Sequence, residues 1–318
     1  MKNLFHIIAV LITSILFFSC SRILVEKNSQ LAIYFCGKNN CADIFSKYID
    51  NANKSIHCSL YNINLEDAKK KLAEKSSAID VRVVINGRNY KNQLAGENVR
   101  LTKRNNHNKF CIIDGKIILT GSFNPTSSDN RSFNNIVVFL SDYLSENYEK
   151  EFREHWNALK DSKNENSAFI LGNKKVTNLF CPDDYCKKNV LNVLKDAEES
   201  IYFMTYSFTD EDIADILLSK KIHIAGVFDD TQATNKYSQY ERLKGFGLDV
   251  YTDNSKATMH HKVFIIDRKI VITGSMNPTN NGFFQNDENV LIIEDEETAQ
   301  KFLQEFSRIY NAAREEEQ

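Results

Sequence analysis

The sequence predicts an α/β protein made of two repeated lobes. The first observation is a repeat, because the stretch HNKFCIIDGKIILTGSFN at 107–124 returns as HHKVFIIDRKIVITGSMN at 260–277. The second is that short apolar segments alternate with amphipathic segments of helical period in both halves, as in layered α/β folds. The third is length, because 318 residues can form two domains that each bury a core.

The N-terminus has the features of an export signal. Lys2 precedes an apolar, uncharged run from Leu4 to Phe18, and Ser19 precedes Cys20. This end resembles the lipobox of bacterial lipoproteins, although Phe17 stands where Leu is usual. We therefore predict a lipoprotein-type signal peptide at 1–19, acylation of Cys20 and a tether at 20–30. An uncleaved signal anchor, for which the run is short, and a secreted form without lipid remain alternatives.

Cysteine positions agree with export. Cys36 and Cys41 lie five positions apart, and Cys181 and Cys186 occupy the same place in the second half. Each pair can close a small disulfide ring in an oxidising compartment. A zinc site formed by all four is the alternative, but the pairs lie in separate lobes and lack the spacing typical of structural zinc. We predict disulfides within each pair.

The first lobe is predicted to span 31–159. Cys58 and Cys111 fall in its apolar strands and are expected to be small buried hydrophobic residues. Its predicted strands are Leu31–Phe35, Ser55–Ile63, Asp80–Asn86, Val99–Lys103, Phe110–Ile113, Lys116–Thr120 and Asn134–Phe139, and its helices are Ala42–Asn51, Leu65–Lys75 and a last one through Trp156.

The second lobe, predicted at 176–313, follows a polar linker at 160–175 and repeats the same order. The segment SIYFMTYSF aligns with SIHCSLYNI of the first lobe, and ENVLII aligns with NNIVVF. Further strands are predicted at Ile222–Phe228 and Asp249–Tyr251.

The repeated stretch has a fixed frame of polar residues. Each copy reads His-x-Lys, then Asp, then Gly-Ser-x-Asn, with identical internal spacing. The members are His107, Lys109, Asp114, Ser122 and Asn124 in the first copy, and His260, Lys262, Asp267, Ser275 and Asn277 in the second. An isolated His is more often structural than catalytic, but two complete frames in register indicate a site.

This frame resembles the paired HKD motif of the phospholipase D superfamily. The resemblance covers nearly the whole chain after the N-terminus. It implies two lobes related by a pseudo-twofold axis, each a mixed β-sheet flanked by helices, with one active site between them. It also implies cleavage or transfer of phosphodiesters without a metal or other cofactor, and both motifs in one chain favour a monomer.

The resemblance also implies roles for the motif residues. His107 would attack phosphorus and His260 would protonate the leaving alcohol, while Lys109 and Lys262 neutralise the phosphate oxygens. The remaining residues would orient the phosphate or contact the substrate, with Asn124 and Asn277 as catalytic residues and Ser122 and Ser275 as substrate-binding residues. The Asp of each frame, Asp114 or Asp267, is expected to be structural.

One position breaks the symmetry of the repeat. Glu288 follows the second motif, whereas Asn134 stands at the aligned place after the first. In the family this residue reaches the His of the other lobe, so Glu288 would orient His107 as part of the catalytic set, and Asn134 would orient His260 and border the substrate.

The leading hypothesis is a phospholipase D-type phosphodiesterase acting on phospholipid headgroups, lipid-anchored outside the cytoplasm of a bacterium. A net charge of -2 does not indicate a broadly basic surface for long nucleic acids. An extracytoplasmic endonuclease of the same family and a cardiolipin synthase-type transferase are the alternatives. A catalytically inactive binding module is disfavoured because neither copy lacks a motif residue.

Overall fold

The computed structural model of the protein describes residues 23–92, 94, 98–159, 162–253, 255 and 257–317. The predicted signal peptide and Cys20 lie outside these residues. The N-terminal half contains β1 (Leu24–Glu26), β2 (Gln30–Phe35), α1 (Cys41–Asp50), β3 (Ser55–Leu60), α2 (Glu66–Lys75), β4 (Asp80–Asn86), β5 (Val99–Thr102), β6 (Lys109–Ile113), β7 (Ile117–Gly121), β8 (Asn135–Leu140) and α3 (Asp142–Trp156). A short 3-10 helix, Asp129–Arg131, lies between β7 and β8.

The C-terminal half repeats this order with additions. It contains β9 (Ala168–Leu171), β10 (Lys174–Cys181), α4 (Cys186–Lys195), β11 (Ser200–Thr205), α5 (Glu211–Ser219), β12 (His223–Phe228), α6 (Asp230–Ala233), α7 (Tyr240–Gly245), β13 (Asp249–Thr252), β14 (Lys262–Ile266), β15 (Ile270–Gly274), α8 (Asn280–Phe284), β16 (Glu288–Glu294) and α9 (Glu296–Glu317).

The strands form two mixed sheets, one in each lobe as the sequence predicts, and β1 of the N-terminal half joins the second sheet. The first has the order β2-β8-β7-β6-β3-β4-β5, and the second has the order β1-β9-β10-β16-β15-β14-β11-β12-β13. The motif strands are central in both, because β6 pairs antiparallel with β3 and β7, and β14 pairs antiparallel with β11 and β15. The two motifs therefore occupy equivalent positions in two similar sheets.

Apolar side chains form three packed layers. One core lies between the first sheet and the outer helices α1 and α2, and a second lies between the second sheet and α4, α5 and α7. The third core is central and joins both sheets with α3 and α9. Helix α3 buries Tyr148 and Phe152, and α9 buries Phe302 and Phe306, at the spacing that places them on one helix face. This shared core fixes the two lobes against each other.

Two short strands lie in the segments predicted as tether and linker. Strand β1 falls within the predicted tether and pairs parallel with β9, which falls within the predicted linker. The sequence analysis predicted no strand in either segment. Strand β9 also pairs with β10, so backbone pairing at the edge of the second sheet determines both conformations.

The Asp of each motif has a structural position. Asp114 and Asp267 lie at the hairpin turns with φ of 55° and 51°. The Asp114 carboxylate accepts backbone N–H bonds from residues 53–55, and Asp267 accepts them from residues 198–200. Each carboxylate thus joins its motif hairpin to the start of the neighbouring strand.

The motif glycines allow the next strand to approach closely. A Cβ at Gly121, where φ is +128°, would lie 2.5 Å from the carbonyl oxygen of Asn135. At Gly274, where φ is +140°, it would lie 2.2 Å from the carbonyl oxygen of Asn289. Both distances are too short for any side chain, so the Gly-Ser pair is required where the motif hairpin meets β8 or β16.

Both predicted disulfides are present, at Cys36–Cys41 and Cys181–Cys186. Each ring lies between the end of a strand and the start of α1 or α4. This arrangement uses the four sulfur atoms that the alternative zinc site would require.

Cys58 and Cys111 form a third disulfide, so the prediction that they are separate buried thiols is wrong. They are direct cross-strand partners of β3 and β6, with Cα atoms 4.0 Å apart. The equivalent partners in the second sheet are Phe203 and Phe264. The register of strands that are distant in sequence, which sequence reasoning did not provide, brings the two thiols together.

The second lobe accommodates its larger pair through a glycine. Gly226 lies beside Phe203 in β12, and a Cβ there would come within 2.0 Å of the phenyl ring. The residue beside Cys58 in the first lobe is Val83. The first lobe thus combines a small cross-strand pair with a larger neighbour, and the second lobe combines a large pair with a glycine. Each sheet face stays packed.

Polar side chains cross between the lobes near the pseudo-twofold axis. Asn289 donates to Asn108 Oδ1 at 3.0 Å and accepts from Thr120 Oγ1 at 2.7 Å. In the mirrored arrangement Asn135 donates to Thr273 Oγ1 at 3.1 Å and lies 3.4 Å from Nδ1 of His261, the variable residue of the second motif. These buried contacts fix the register of the two lobes. Within the described residues, no helix has the length and apolarity to span a bilayer.

Candidate active site

The motif histidines lie where the two sheets meet. The backbone N–H of His107 donates to the carbonyl of Asp287 in the second lobe, and that of His260 donates to the carbonyl of Phe133 in the first, both at 2.9 Å. Lys109 and Lys262 begin the strands β6 and β14 and are both buried. The structure therefore brings both His-Lys pairs to one place, each attached by backbone to the opposite lobe.

The imidazoles have orienting partners from the opposite lobe. His107 Nδ1 lies 2.8 Å from both carboxylate oxygens of the fully buried Glu288. His260 Nδ1 lies 2.8 Å from Oδ1 of Asn134. Since Nδ1 is engaged in each ring, Nε2 is the nitrogen left to face a substrate. Both contacts are those that the aligned Glu and Asn predict.

A second carboxylate reaches His260, and the sequence reasoning missed it. Asp129 Oδ2 lies 3.3 Å from His260 Nδ1 and also accepts the backbone and side-chain N–H groups of Asn124. Although burial opposes ionisation, the positive charge of His260 holds the pKa of Asp129 well below its usual range. Both histidines therefore have a carboxylate near Nδ1, and the pair of Glu288 and Asn134 alone does not describe the charge around them.

Two tyrosines complete a symmetric frame around the imidazoles. The ring of Tyr61 meets His107 edge-on at 4.7 Å between centroids, and Tyr206 meets His260 in the same way at 5.0 Å. The ammonium of Lys109 lies 5.1 Å from the Tyr61 ring centre, and that of Lys262 lies 5.0 Å from the Tyr206 ring centre. Their equal positions in SIHCSLYNI and SIYFMTYSF are the sequence feature that could have revealed them.

The two lysines are held in place by their own motifs. Each Nζ donates at 2.7 Å to the carbonyl of the histidine two residues earlier. Burial lowers the pKa of Lys109 to about 8, although Glu288 and Asp129 oppose the shift. Burial, reinforced by the charge of Lys109, lowers the pKa of Lys262 well below its usual value. Two adjacent buried ammonium groups create a site suited to an anion.

The motif asparagines each leave an acceptor without a partner. Among the described residues, Oδ1 of Asn124 and Oδ1 of Asn277 are buried and have no hydrogen-bond partner. The Asn124 amide donates to Asp129, so its orientation is fixed. A ligand that enters the site can satisfy these oxygens by donating a hydrogen bond, as a hydroxyl or water does.

The motif serines lie in the interior rather than at the surface of the site. Ser275 donates to Glu288 at 2.6 Å and accepts the backbone N–H of Asn289. Ser122 accepts the equivalent N–H from Asn135. Both hydroxyls thereby support β16 and β8, the strands that carry the orienting residues. The structure places them behind the imidazoles, as supports.

Two polar spaces lie at motif residues. A recess of about 240 Å³ lies by His260, Tyr61, Tyr206 and Asn124. A cleft of about 760 Å³ lies at Asn277 in the second lobe, and amide and hydroxyl side chains form most of its wall. The recess therefore gives a ligand access to His260, and the cleft provides polar surface beside the second motif.

Burial determines the charge of the histidines in the free site. It lowers the pKa of His107, an effect that Glu288 opposes. Burial, followed by the charge of Lys262, lowers the pKa of His260 to about 4. An unprotonated imidazole with a free Nε2 is a nucleophile or a base, and the adjacent cations attract a phosphate. Across the residues that the structure describes, no group of three or more His, Cys, Asp or Glu side chains forms a metal-binding cluster.

The two other histidines of the first lobe make contacts outside the motif pairs. His57 lies in β3 against Glu149 and Asp80, and it stacks on Phe152. His155 belongs to α3 and contacts Glu151. The site therefore contains the motif residues, Glu288 and Asn134 as predicted, together with Asp129, Tyr61 and Tyr206.

Comparison with known proteins agrees with this geometry. The sequence profile of the family described as "Cardiolipin synthase, PLD-like domain" matches residues 45–156 and 190–310. A phospholipase D of Rickettsia conorii is 37% identical over 137 residues, which are 42% of this chain and 68% of that protein. A mitochondrial cardiolipin hydrolase of Canis lupus familiaris is 34% identical over 124 residues, which are 38% of this chain and 49% of that protein.

One solved structure shares the two-lobed fold. Phosphatidylserine synthase of Haemophilus influenzae superposes with a TM-score of 0.68 over 89% of this chain and 86% of that one, at 14% identity. The two profile matches fall on the two lobes, and each contains a complete frame with its His, Lys and Asn in the site. The chain therefore belongs to the phospholipase D superfamily and is a phosphodiesterase of the phospholipase D type.

Proposed function

We propose that this enzyme cleaves the headgroup phosphodiester of phospholipids through a phosphohistidine, and that it works without a metal. The observation that carries the proposal is the pairing of each Nδ1 with a group from the opposite lobe. Glu288 and Asn134 fix the two rings, so both Nε2 atoms are available to one phosphorus. The buried Lys109 and Lys262 would neutralise its oxygens.

In the first step His107 Nε2 forms a bond to phosphorus as the bond to the leaving alcohol oxygen breaks. His260, protonated in the complex, transfers the proton on Nε2 to that oxygen. The phosphate anion raises the pKa of His260 from its low value in the free site, because it adds negative charge nearby. Glu288 stabilises the positive charge that His107 acquires when it is phosphorylated.

In the second step the neutral His260 accepts a proton from water. The water oxygen bonds to phosphorus, the bond from phosphorus to His107 breaks, and the phosphomonoester leaves. With a lipid alcohol in place of water, the same step gives a new phosphodiester. Transfer of the cardiolipin synthase type is therefore the same chemistry with another acceptor.

His107 is assigned as the nucleophile on geometry. Its Nδ1 contacts both oxygens of Glu288 at 2.8 Å, whereas the carboxylate of Asp129 lies 3.3 Å from His260 Nδ1. The stronger anionic contact suits the ring that becomes a substituted cation. The weaker one suits the ring that must release its proton.

Phospholipid is the proposed substrate because of the relatives and the predicted anchor. The similar proteins include a phospholipase D and a cardiolipin hydrolase. Acylation of Cys20 would hold the enzyme at a membrane outside the cytoplasm, where Cys36–Cys41 and the other disulfides persist. One chain contains both motifs, so we propose that it acts as a monomer.

A nuclease is the second candidate, and the cleft at Asn277 favours it. Its wall contains Lys236, Arg242 and the exposed Tyr237, and the Lys236 ammonium lies 4.6 Å from the Tyr237 ring centre. Cations beside an exposed aromatic ring are a usual arrangement for single-stranded nucleic acids.

The test is a direct comparison of substrates with the full-length protein. Vesicles that contain headgroup-labelled phosphatidylglycerol are used in one reaction and labelled single-stranded DNA in another, with His107→Asn as the control. Headgroup release by the wild type and not by His107→Asn supports the proposal. Cleavage of DNA without headgroup release contradicts it and supports the nuclease. Turnover of bis(p-nitrophenyl) phosphate checks that the preparation is active.

A further inference from the structure

An aromatic groove lies on the second lobe outside the site. We define it by Pro182, Tyr185, Leu191, Phe283 and Phe284, which border a volume of about 430 Å³. Tyr185 is 62% exposed and Phe284 is 48% exposed. Large aromatic side chains that share one exposed groove indicate a surface that is covered when the protein works.

Lysines surround the aromatic groove. Lys187, Lys188 and Lys195 belong to its wall, and the ammonium of Lys163 lies 5.1 Å from the Tyr185 ring centre. Lys187 is paired with Asp210 and Asp212 at 2.7 Å. Lys163, Lys188 and Lys195 form no ion pair with the described carboxylates, although the charge of Lys195 acts on the Asp212 carboxylate that pairs with Lys187. The surface therefore combines apolar area with positive charge.

The repeat provides an internal comparison for this surface. The disulfides Cys36–Cys41 and Cys181–Cys186 align the lobes, so Asn40 corresponds to Tyr185, Asp43 to Lys188 and Asp50 to Lys195. Arg131 corresponds to Phe284, by alignment of the motif asparagines. The aromatic rings and the cluster of lysines are thus specific to the second lobe, and the equivalent face of the first lobe is polar, with acidic residues in place of Lys188 and Lys195.

The aromatic groove adjoins the cleft at Asn277, and one short helix borders both. Asn280 and Asn281 of α8 line the cleft at Asn277, and Phe283 and Phe284 of the same helix line the groove. In the first turn of α5, Glu211 likewise lines the cleft and Asp212 lines the groove. A body that covers the groove therefore lies at the entrance of the cleft.

We infer that the aromatic groove docks on an anionic lipid bilayer, with Tyr185 and Phe284 in the interface and Lys163, Lys188 and Lys195 facing the headgroups. This inference rests on the proposed phospholipid substrate. Aromatic rings flanked by lysines are suited to this position, because the rings enter the boundary region while the cations contact anionic headgroups.

Docking of this kind accounts for the polar walls of the recess and the cleft. With the bilayer at the groove, acyl chains stay in the membrane and only the headgroup, glycerol and phosphate enter the cleft. A cleft lined by amides and hydroxyls then matches the part of the lipid that it receives. The site needs no apolar channel for the acyl chains.

The test exchanges the groove residues for those of the first lobe in the full-length chain. The variant contains Tyr185→Asn, Lys188→Asp, Lys195→Asp and Phe284→Arg. Its kcat/KM is measured on phosphatidylglycerol in mixed vesicles with phosphatidylcholine, and on a short-chain phosphatidylglycerol kept monomeric. We expect a fall of about tenfold or more on vesicles, since lysines near an anionic surface strengthen membrane binding. Turnover of the monomeric lipid stays the same.

Controls use the same residue types elsewhere. Phe246, which is 73% exposed, is changed to Asn, and Lys70 in α2 of the first lobe is changed to Asp. Neither change should alter the ratio of vesicle to monomer turnover. A groove variant with an unchanged ratio contradicts the inference, and so does an equal fall in the controls.

Hydrogen exchange of the wild-type protein decides the case in which the groove variant does not fold. Vesicles with phosphatidylglycerol should protect residues 183–195 and 280–285, and should leave Cys41–Asp50 of the first lobe unprotected. Absence of protection contradicts the inference. Protection by single-stranded DNA or by self-association, and not by vesicles, assigns the groove to another partner and overturns it. If the wild type protects the groove on vesicles but cleaves no phospholipid, the docking surface stands and the proposed substrate fails.

Discussion

The two lobes contain the same motif, but they support it with different residues. In the first-lobe half of the site, His107 Nδ1 contacts the carboxylate of Glu288, with both oxygens at 2.8 Å. In the second-lobe half, His260 contacts the amide of Asn134 at 2.8 Å and the carboxylate of Asp129 at 3.3 Å. The two histidines therefore have different contacts although their motifs share the same frame. Residues outside the repeated frame determine which imidazole can hold a phosphoryl group and which can release a proton.

The lobes also differ in how they fill the centre of each sheet. The first uses the Cys58–Cys111 disulfide, and the second uses the Phe203–Phe264 contact at the same register. Gly226 provides the space that the larger pair needs. One backbone arrangement thus accepts a covalent link or an aromatic contact, provided that the neighbouring strand changes with it.

The largest expected effect separates the two histidines. With bis(p-nitrophenyl) phosphate, His107→Asn should lower kcat/KM by on the order of 10⁴-fold or more, because no other group can form the covalent intermediate. His260→Asn should affect the first step little, because p-nitrophenolate leaves without a proton. The phosphoryl group should then accumulate on His107, where peptide mapping by mass spectrometry after a neutral quench would find it. An adduct on His260 in His107→Asn, with none on His107 in the reverse variant, reverses the assignment.

The disulfide found only in the first lobe should contribute more to the free energy of unfolding than the two that recur in both lobes. Cys58–Cys111 closes a sequence separation of 53, and each of the other bridges closes a separation of 5. In the chain-entropy account, replacing Cys58 and Cys111 with Ala lowers the free energy of unfolding by about 4 kcal/mol, and replacing Cys36 and Cys41 lowers it by about 2 kcal/mol. Urea unfolding measures both, with the Cys181 and Cys186 double Ala variant as the matched control. Equal losses from all three pairs would show that loop length does not determine the difference.

The carboxylates should differ in effect according to their contacts. Glu288→Gln should lower kcat/KM by roughly 10²-fold or more, and Asp129→Asn by about tenfold, because the second leaves the Asn134 contact in place. Each carboxylate raises the pKa of its histidine. Removing Glu288 should therefore shift the acid limb of the pH profile, which reports His107, to lower pH, and removing Asp129 should leave that limb in place. An equal shift of the acid limb in both variants would contradict the assignment of that limb to His107.

The two lysines should determine how kcat/KM falls at alkaline pH, each at its own pKa. Burial lowers the pKa of Lys109 to about 8 and that of Lys262 well below its usual value. A lysine with a lowered pKa loses its charge as pH rises through that value, so kcat/KM for bis(p-nitrophenyl) phosphate should fall by about tenfold per pH unit above it. Lys262→Arg should leave a limb near pH 8, which belongs to Lys109. A double Arg variant that keeps an alkaline limb at the same pH would assign it to another group.

The smallest expected effect is that of chelation. Lys109 and Lys262 provide the positive charge at the site, so EDTA should leave turnover of bis(p-nitrophenyl) phosphate unchanged in the wild type. It should also leave the difference between the two histidine variants unchanged. Loss of activity with EDTA and recovery with Mg²⁺ would contradict the proposed mechanism in both lobes.

Most of the fold and the centre of the site could be predicted because the repeat is explicit. The frame places His107 and His260 at equivalent positions just before β6 and β14, and resemblance to the family links Glu288 and Asn134 across the lobes. The positions of Tyr61 and Tyr206 were available in the aligned strands as well. They were missed because an aromatic residue at the end of an apolar strand usually belongs to the core.

Other features depend on tertiary structure. Asp129 lies in a polar segment where Asp is common in turns, and only the fold brings it to His260. The Cys58–Cys111 bridge depends on the pairing of β3 with β6, which are far apart in sequence. Strands β1 and β9 are too short to show a periodicity, and they exist because they pair with each other.

Strand β1 limits how the enzyme can be oriented. It is the edge strand of the second sheet, although it precedes every element of the first lobe. Cys20 lies four residues before Leu24, and an extended chain of that length reaches about 14 Å. If Cys20 is acylated, the fatty acids hold the bilayer within this distance of β1. Glu26 of β1 also accepts hydrogen bonds from Ser141 and the backbone N–H of Asp142 at the start of α3, so the anchor would lie at the junction of the two lobes. Rotation about this short tether would then bring the aromatic groove and the cleft at Asn277 to the headgroups.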